Sequence, residues 1–323
     1  MRHQEEEPPP AQPQPQPQPQ PHSLDPGQPL SVRSVLVVDT SYIIFAKYYA
    51  TLCWYKQNLH DEPNIETIMQ NPGFQARYGA NFDKSVARAC ARYGVPRRNV
   101  LYAKDCSKSS VWRRGVYPEY KASRAHNGMF NPEVFPYTFQ TLIPKLAEAH
   151  GGAIIGCDYA EADDVIAVAH AVLRGEVGVS VVILTNDNDC IQLVDDQTQV
   201  VNLMMHDVGH RRGALTPQQY LMSRILSGDR SDNIGSIFPR CGMKTAVRMV
   251  TQHNQEELHE YIRQRSEIAA KFARNSTLMD LRLVPAEIKQ RVVELMHERF
   301  LPQCLGHAQK PDAPESDPNR ICL

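Results

Sequence analysis

Short apolar runs rich in β-branched residues alternate with longer amphipathic segments over the first two thirds of the chain. The apolar runs cover residues 35–38, 100–103, 153–157, 179–184 and 200–203. Helical periodicity predicts helices at residues 82–93, 136–150, 161–174 and 217–226. This alternation predicts an α/β fold, with a mostly parallel sheet flanked by helices.

The two ends of the chain differ from this body. No strand-like run appears between Gln218 and about residue 300, so the sequence predicts a helical lobe after the sheet. Residues 1–30 hold ten of the 24 prolines and few side chains that could be buried, which predicts a disordered Pro/Gln-rich tail. We therefore predict a sheet domain at 31–210, a helical lobe at 211–305 and a flexible tail at 306–323.

The net charge of −1 is a sum of unlike parts. Residues 1–30 carry −3 and residues 309–323 carry −1, which leaves +3 for the remainder. No apolar run approaches the roughly 20 residues that span a membrane, and the first residues lack the apolar stretch of a secretory signal. The eight cysteines form no C-x-x-C pair, which indicates reduced thiols in an intracellular, non-secreted protein.

Acidic residues follow the ends of the predicted strands. Asp39 follows the first strand, and Asp187 and Asp189 follow the fourth. Because the carboxyl ends of parallel strands meet at one edge of the sheet, where ligands bind, these carboxylates should converge. Nine acids lie at strand ends or at adjoining helix termini: Asp39, Asp105, Glu161, Asp163, Asp164, Asp187, Asp189, Asp229 and Asp232.

Converging carboxylates repel one another, and divalent metal ions would relieve that repulsion. An oxygen-only set favours Mg²⁺ or Mn²⁺ over zinc, and two such ions ~4 Å apart can drive phosphodiester hydrolysis. Any single acid could instead be a helix cap or turn former. A calcium-binding EF-hand at Asp187 is excluded by Gln192 and Thr198, and a phosphate-binding loop at Gly242 is excluded by Met243.

Residues 104–135 are basic and aromatic, which predicts a loop or arch at about 105–135. Its basic residues are Lys104, Lys108, Arg113, Arg114, Lys121 and Arg124, interleaved with Trp112, Tyr117 and Tyr120. The alternative is an ordinary solvent-exposed loop that connects a strand to a helix. If the nine acids hold metals, the rest of the body carries about +12, which favours a polyanion such as nucleic acid.

Five motifs occur in order along the chain. They are V-V-D-T-S at 37–41, W-R followed by Y-P-E-Y-K-A-S-R at 112–124, E-A-D-D at 161–164, T-N-D-N-D-C-I-Q-L at 185–193, and G-D-R-S-D-N-I at 228–234 with G-M-K-T-A at 242–246. This set resembles the 5′ nuclease superfamily of flap endonucleases, bacterial polymerase-type 5′-3′ exonucleases and phage ribonuclease H. The resemblance implies a PIN-like fold with a basic arch and a C-terminal helix-hairpin lobe.

The resemblance also implies roles for the acids. One metal ion would be held by Asp39, Asp105, Glu161 and Asp163, and a second by Asp187, Asp189, Asp229 and Asp232, with Asp164 in support. The ions would be Mg²⁺, for which Mn²⁺ can substitute.

Basic residues and the helix-hairpin would contact the nucleic acid. Lys121 and Arg124, three apart on one helical face, would clamp the scissile phosphate, beside Arg113 and Arg114 of the arch. Tyr120 would either stack on the terminal base or anchor the arch from a buried position. The turn from Gly235 through Gly242 to Lys244 would present backbone amides, with a bound K⁺, to a duplex. Residues 236–241 depart here from the usual Pro-Gly-rich turn.

The function implied is a divalent-metal-dependent 5′-3′ exonuclease or flap endonuclease in DNA replication or repair. Its substrates would be DNA with a 5′ flap, nick or free 5′ end, or an RNA–DNA hybrid. The chain shows no sliding-clamp box and no membrane segment, and we expect a monomer in the nucleus or at the site of replication. The alternatives are a catalytically inactive nucleic-acid-binding relative and a PIN-type ribonuclease.

Overall fold

A five-stranded, all-parallel sheet lies at the centre of the molecule. The computed structural model describes residues 33–58, 63–124, 128–176 and 179–305, so both predicted tails lie outside the described residues. The strands are β1 (Ser34–Asp39), β2 (Val100–Ala103), β3 (Ala153–Ile155), β4 (Ser180–Leu184) and β5 (Thr198–Val201), in the order β3-β2-β1-β4-β5. All five strands were predicted, and the α/β prediction is confirmed.

Both faces of the sheet are buried, as is usual for a parallel sheet. Val35 and Val37 point into one hydrophobic cluster, and Leu36 and Val38 point into a second cluster on the opposite face. All four side chains are fully buried. Central strand β1 pairs with β2 on one side and β4 on the other, so Asp39 lies in the middle of the carboxyl edge.

The face of Leu36 and Val38 is covered by two long antiparallel helices, α1 (Thr40–Asn58) and α2 (Pro72–Tyr93). Asn71 caps α2 by accepting a hydrogen bond from the amide of Phe74, and Gly94 ends the helix with a φ of 63°. The sequence predicted only residues 82–93 of this pair. Helix α1 was missed because its apolar residues form no single stripe.

The basic segment after β2 folds mostly as turns, with two short helices, α3 (Arg113–Val116) and α4 (Val134–Tyr137). A π-helical stretch (Thr138–Leu142) joins α4 to α5 (Ile143–His150), which accounts for the helix predicted at 136–150. The returning part of the segment packs on α1, where the rings of Phe130 and Phe45 lie 4.7 Å apart.

The remaining helices lie on the side of the opposite face: α6 (Ala162–Gly175), α7 (Pro217–Ser227), α8 (Met243–Gln252), α9 (Gln255–Arg263), α10 (Ser266–Met279), α11 (Ala286–Leu295) and α12 (Leu301–Leu305). Helix α6 packs directly on β1, β2 and β4, and the others extend the same hydrophobic cluster. Thr216 caps α7 by accepting a hydrogen bond from the amide of Gln219. The helical character after residue 217 is confirmed, whereas the boundary at 210 stays a prediction. No helix within the described ranges is long and apolar enough to cross a membrane.

Candidate active site

The predicted acids gather at the carboxyl edge of the sheet. Asp39 ends β1, Asp105 follows β2 by two residues, and Asp187 follows β4. The Asp105 carboxylate accepts a hydrogen bond of 2.8 Å from the amide of Ala162, so it lies against the start of α6. Thr185 donates a 2.8 Å hydrogen bond to Asp39, which ties the end of β4 to the end of β1.

Four of the nine acids have no basic partner, and we call them the unpaired acids: Asp39, Asp105, Asp163 and Asp187. Within the described residues none of them forms an ion pair, and their contacts are to hydroxyl, thiol or backbone amide groups. Burial, and then the nearby Asp105 carboxylate, raise the pKa of Asp39 to about 7. Burial and the Asp187 carboxylate raise the pKa of Asp163 well above its usual range. This group is therefore a concentration of carboxylates that no ion pair within the described chain neutralises, and the nearby Lys121 ammonium offsets only part of the rise in the pKa of Asp163.

The other five acids are paired with basic side chains. Arg113 makes a two-pronged contact with Asp164 at 2.7 and 2.9 Å, and contacts Glu161 at 2.9 Å. Its Nε also donates to the carbonyl of Leu278 in α10, at 2.8 Å. Although burial raises the pKa of Glu161, the Lys121 ammonium and the Arg113 guanidinium outweigh it and lower the pKa.

Lys121 and Arg124 meet at one carboxylate, that of Asp232. The Arg124 guanidinium lies 2.6 Å from Asp232, and the Lys121 Nζ lies 3.8 Å from Asp232 and 2.6 Å from Glu161. The prediction that these two residues share a helical face is wrong: they lie in a turn, and Lys121 has a left-handed φ of 56°. The turn is held because the Lys121 amide donates to the carbonyl of Asp232, at 3.0 Å.

Arg224 of α7 is a site residue that the sequence reasoning missed. Its guanidinium lies 2.7 Å from Asp189 and 2.5 Å from Asp229, and its side chain is 12% exposed. The sequence did contain a signal for Arg224. Clustered acids need counter-charges, and Arg224 stands one helical turn before Gly228, where the acidic G-D-R-S-D-N-I motif begins. Arg211 was also missed: it contacts Asn186 and Asn188 at 2.6 to 3.0 Å and braces the loop that carries Asp187.

Two residues predicted to bind nucleic acid are buried. Arg113 is 2% exposed and its guanidinium is fully engaged, so its role as a phosphate contact is corrected to that of an internal counter-ion. Tyr120 is 4% exposed, with its hydroxyl 3.1 Å from Glu161 and 3.2 Å from Asp232. Tyr120 is thus in the anchoring position, one of the two that the sequence left open.

The remaining residues predicted to bind nucleic acid reach the surface. Gly235, Gly242 and Lys244 are exposed, and Arg114 is half-buried. Gly242 directly precedes α8, and the first residues of that helix, Met243 and Lys244, are exposed with it.

The donor set fits a hard divalent cation in its chemistry. Among the described residues no group of three or more His, Cys, Asp or Glu side chains is arranged to hold a metal ion. The carboxylate oxygens of the nine acids instead accept hydrogen bonds from hydroxyls or amides, or pair with basic side chains. Asp105, for example, accepts a hydrogen bond from the Ser41 hydroxyl. The unpaired acids supply only oxygen ligands and form no ion pair within the described residues, and such free carboxylates are the ligands that Mg²⁺ and Mn²⁺ favour. The predicted sharing of the nine acids between two ions stays a prediction.

The raised pKa values predict that the metal-free protein loses stability as the pH rises from about 4 to above 7. The folded state holds protons on Asp39 and Asp163 that the unfolded chain releases near pH 4, so ionisation above pH 4 favours unfolding. Melting temperatures in EDTA at pH 5 and pH 8 measure this fall. Adding Mg²⁺ should raise the melting temperature more at pH 8 than at pH 5.

Asp39→Asn is the matched control for this prediction. The melting temperature of this variant should fall less between pH 5 and pH 8 than that of the parent. Other groups that titrate abnormally are the same in both proteins, such as His170, whose pKa burial lowers to about 4. Equal pH dependence in the parent and in Asp39→Asn would contradict the prediction.

Comparisons with known proteins agree with this geometry. A family model described as the 5′-3′ exonuclease, N-terminal resolvase-like domain matches residues 34–222. The thermostable DNA polymerase I of Thermus thermophilus is 30% identical over 226 residues, which cover 68% of this chain and 24% of that protein. DNA polymerase I of Streptococcus pneumoniae is 27% identical over 239 residues, or 70% of this chain and 24% of that protein. The chain thus spans about a quarter of the length of these relatives.

Solved structures share the fold. The bacteriophage T5 flap endonuclease, crystallised with DNA and metal ions, has a TM-score of 0.59 and 18% identity over 82% of this chain and 98% of that one. The T5 5′-exonuclease with bound zinc has a TM-score of 0.57 and 17% identity, over 83% and 100%. Because the family model matches more than half of the sequence, the chain belongs to the 5′-3′ exonuclease N-terminal domain family.

Proposed function

We propose that the chain is a divalent-metal-dependent 5′ nuclease. It would hydrolyse phosphodiester bonds near the 5′ ends of flapped or nicked DNA, or of primer RNA on DNA, during replication or repair. The observation that carries the proposal is a group of unpaired acids beside Lys121 and Arg124 at the carboxyl edge of the sheet. Membership of the 5′-3′ exonuclease family supports it, and so does the fold shared with the T5 flap endonuclease.

The unpaired acids would hold the divalent ions, for which we propose Mg²⁺, with Mn²⁺ as a substitute. A bound ion would lower the pKa of a coordinated water and stabilise charge on the leaving oxygen. The hydroxyls of Thr185 and Ser41 orient Asp39 and Asp105 before any ion arrives. Arg211 keeps the Asp187 loop in place through Asn186.

Lys121 and Arg124 would bind the scissile phosphate. Arginine suits a two-pronged phosphate contact and lysine a point charge. Asp232 and Glu161 hold both side chains at the edge of the sheet, and a phosphate would replace part of these contacts. Arg124 is the more accessible of the two, with 55% of its side chain exposed, whereas Lys121 has 18%.

The start of α8 would bind the phosphates of a duplex. Amides at a helix N-terminus attract phosphate without reading base sequence, so selectivity would rest on the shape of the substrate. Gly235, Gly242 and Lys244 would form this contact together with a K⁺ ion. Arg114 would add a contact from the arch.

Mapping the cleavage position on end-labelled substrates tests the proposal. We expect cutting of a DNA 5′ flap near its junction in Mg²⁺, none in EDTA, and weak cutting of single-stranded RNA. Preferential cleavage of single-stranded RNA would favour the PIN-type ribonuclease. Flap binding without cleavage in either Mg²⁺ or Mn²⁺ would favour the inactive relative.

A further inference from the structure

Tyr159 combines a strained backbone with an exposed aromatic ring at the edge of the candidate active site. It lies in the turn between β3 and α6, two residues before Glu161, and has a left-handed φ of 67°. A bulky residue rarely adopts this conformation, because its Cβ atom clashes with the backbone. Tyr159 is nevertheless 59% exposed. The fold therefore keeps a large ring in solvent at a position that glycine would occupy without strain.

Hydrogen bonds hold the backbone that carries this ring. The carbonyl of Tyr159 accepts a 3.1 Å bond from the amide of Trp112, and the carbonyl of Ala160 accepts a 2.8 Å bond from the amide of Cys106. Both donors belong to the basic segment after β2. Strained backbone persists where its surroundings fix it in this way, and it is concentrated at ligand sites. The ring is thus carried on a fixed support.

The order of the β-strands places Tyr159 at one end of the row of acids. Along the carboxyl edge, the order β4-β1-β2-β3 arranges the residues that follow each strand as Asp187, Asp39, Asp105 and then Tyr159. Helix α8 packs on α7, whose Arg224 pairs with an acid that follows β4. A nucleic-acid strand that runs from a duplex at α8 past the acids would therefore next reach Tyr159.

Two basic side chains lie in the segment that donates these hydrogen bonds. Lys108 is exposed in the loop between the two amide donors, and Arg114 of α3 is half-buried. The exposed Asp158 is the one acid directly next to Tyr159 in sequence. An exposed ring with cations on the same segment is the combination that binds single-stranded nucleic acid, because a base stacks on the ring and the cations attract phosphates. Bases within a duplex are already stacked on one another, so this arrangement suits an unpaired nucleotide.

We propose that Tyr159 stacks on an unpaired nucleotide of the 5′ strand where that strand leaves the row of acids, and so positions the strand for cleavage. This inference rests on the proposed function, since a flap or a free 5′ end supplies the unpaired nucleotide. Every base has a flat face, so stacking tolerates any sequence. Tyr159 would therefore recognise the presence of unpaired bases and not their identity.

Two substitutions at position 159 separate the ring from the backbone. Tyr159→Gly removes the ring and suits the observed φ, so it adds no backbone strain. Its melting temperature should stay within about 4 °C of that of the parent. Tyr159→Phe keeps the ring and removes only the hydroxyl. Binding to a labelled 5′ flap is compared for the parent and both variants, all in an Asp187→Ala background that prevents cutting.

A second flap, identical except that its unpaired nucleotides lack bases, isolates the contribution of stacking. Tyr159→Gly should bind the normal flap about five- to fiftyfold more weakly than the parent does. The same two proteins should bind the abasic flap within about twofold of each other. Tyr159→Phe should bind both flaps as the parent does.

Tyr261→Ala is the matched control, because that ring is also exposed, on α9, where the Arg265 guanidinium carbon lies 3.7 Å from its centre. This variant should leave the difference between the two flaps unchanged. No loss in Tyr159→Gly, an equal loss on both flaps, or the same loss in Tyr159→Phe would overturn the inference and leave the proposed function standing. If the chain with Asp187 in place neither binds nor cleaves any flap, the proposed function fails, and this inference fails with it.

Discussion

Replacing Asp187 with alanine should lower the rate of flap cleavage by at least about 10³-fold, which corresponds to about 4 kcal/mol of lost transition-state stabilisation. Asp187 has no basic partner, and its charge raises the pKa of the neighbouring Asp163, so its carboxylate belongs to the group expected to hold metal. Single-turnover cleavage of a labelled 5′ flap in Mg²⁺ measures the effect.

Measurements of flap binding and of melting temperature distinguish a loss of catalysis in Asp187→Ala from a loss of folding. The flap should still bind to Asp187→Ala. The metal-free variant should melt higher than its parent at pH 8, because one repelling charge is gone. Asp196→Ala is the control, since that side chain is 79% exposed and its one ion pair among the described residues is with Arg174. Undiminished cleavage by Asp187→Ala, or equal loss in Asp196→Ala, would contradict the assignment.

Replacing Arg113 with leucine should lower the free energy of unfolding by about 3 to 5 kcal/mol at pH 7. The substitution leaves Asp164 buried and without a cation, and removes one of the two cations beside Glu161. It also leaves the carbonyl of Leu278 without its hydrogen bond from Arg113. Urea denaturation measures the loss.

Arg114→Leu is the matched control for Arg113→Leu. Arg114 is the next residue along the chain, is half-buried, and forms no ion pair within the described residues. Its replacement should change the free energy of unfolding by less than about 0.5 kcal/mol, while weakening DNA binding. Similar stabilities for the two variants would show that Arg113 is not the counter-ion that the geometry indicates.

The strands could be predicted from the sequence because each is a short, continuous apolar run buried on both faces. The convergence of the acids at the strand ends could be predicted from the parallel topology alone. In a parallel sheet, Asp39 and Asp187 must lie at the same edge. Helix α1 could not be found in this way. Its buried residues include Thr40, Tyr48 and Thr51, which break any simple apolar stripe.

The sequence also could not show which basic side chain pairs with which acid. Lys121, Arg113 and Arg124 all lie in a basic segment, and nothing local distinguishes a phosphate contact from an internal counter-ion. The difference arises from contacts over long sequence distances, such as Arg113 with Asp164 and with Leu278. Arg224 has one partner of each kind: Asp229 is five residues away and gave a local signal, whereas Asp189 is 35 residues away in sequence.

The last helices of the described chain return to the sheet. Val292, Met296 and Phe300 are fully buried in the cluster that contains Val35 and Val37 of β1. All three lie beyond residue 222, where the match to the family model ends. The segment matched by the family model is therefore smaller than the hydrophobic cluster in which its sheet takes part. In the segment 34–222 alone, α6 would still pack on this face, but the part of the cluster that Val292, Met296 and Phe300 cover would be exposed. We therefore expect the later helices to tolerate only those substitutions that keep this part of the cluster covered.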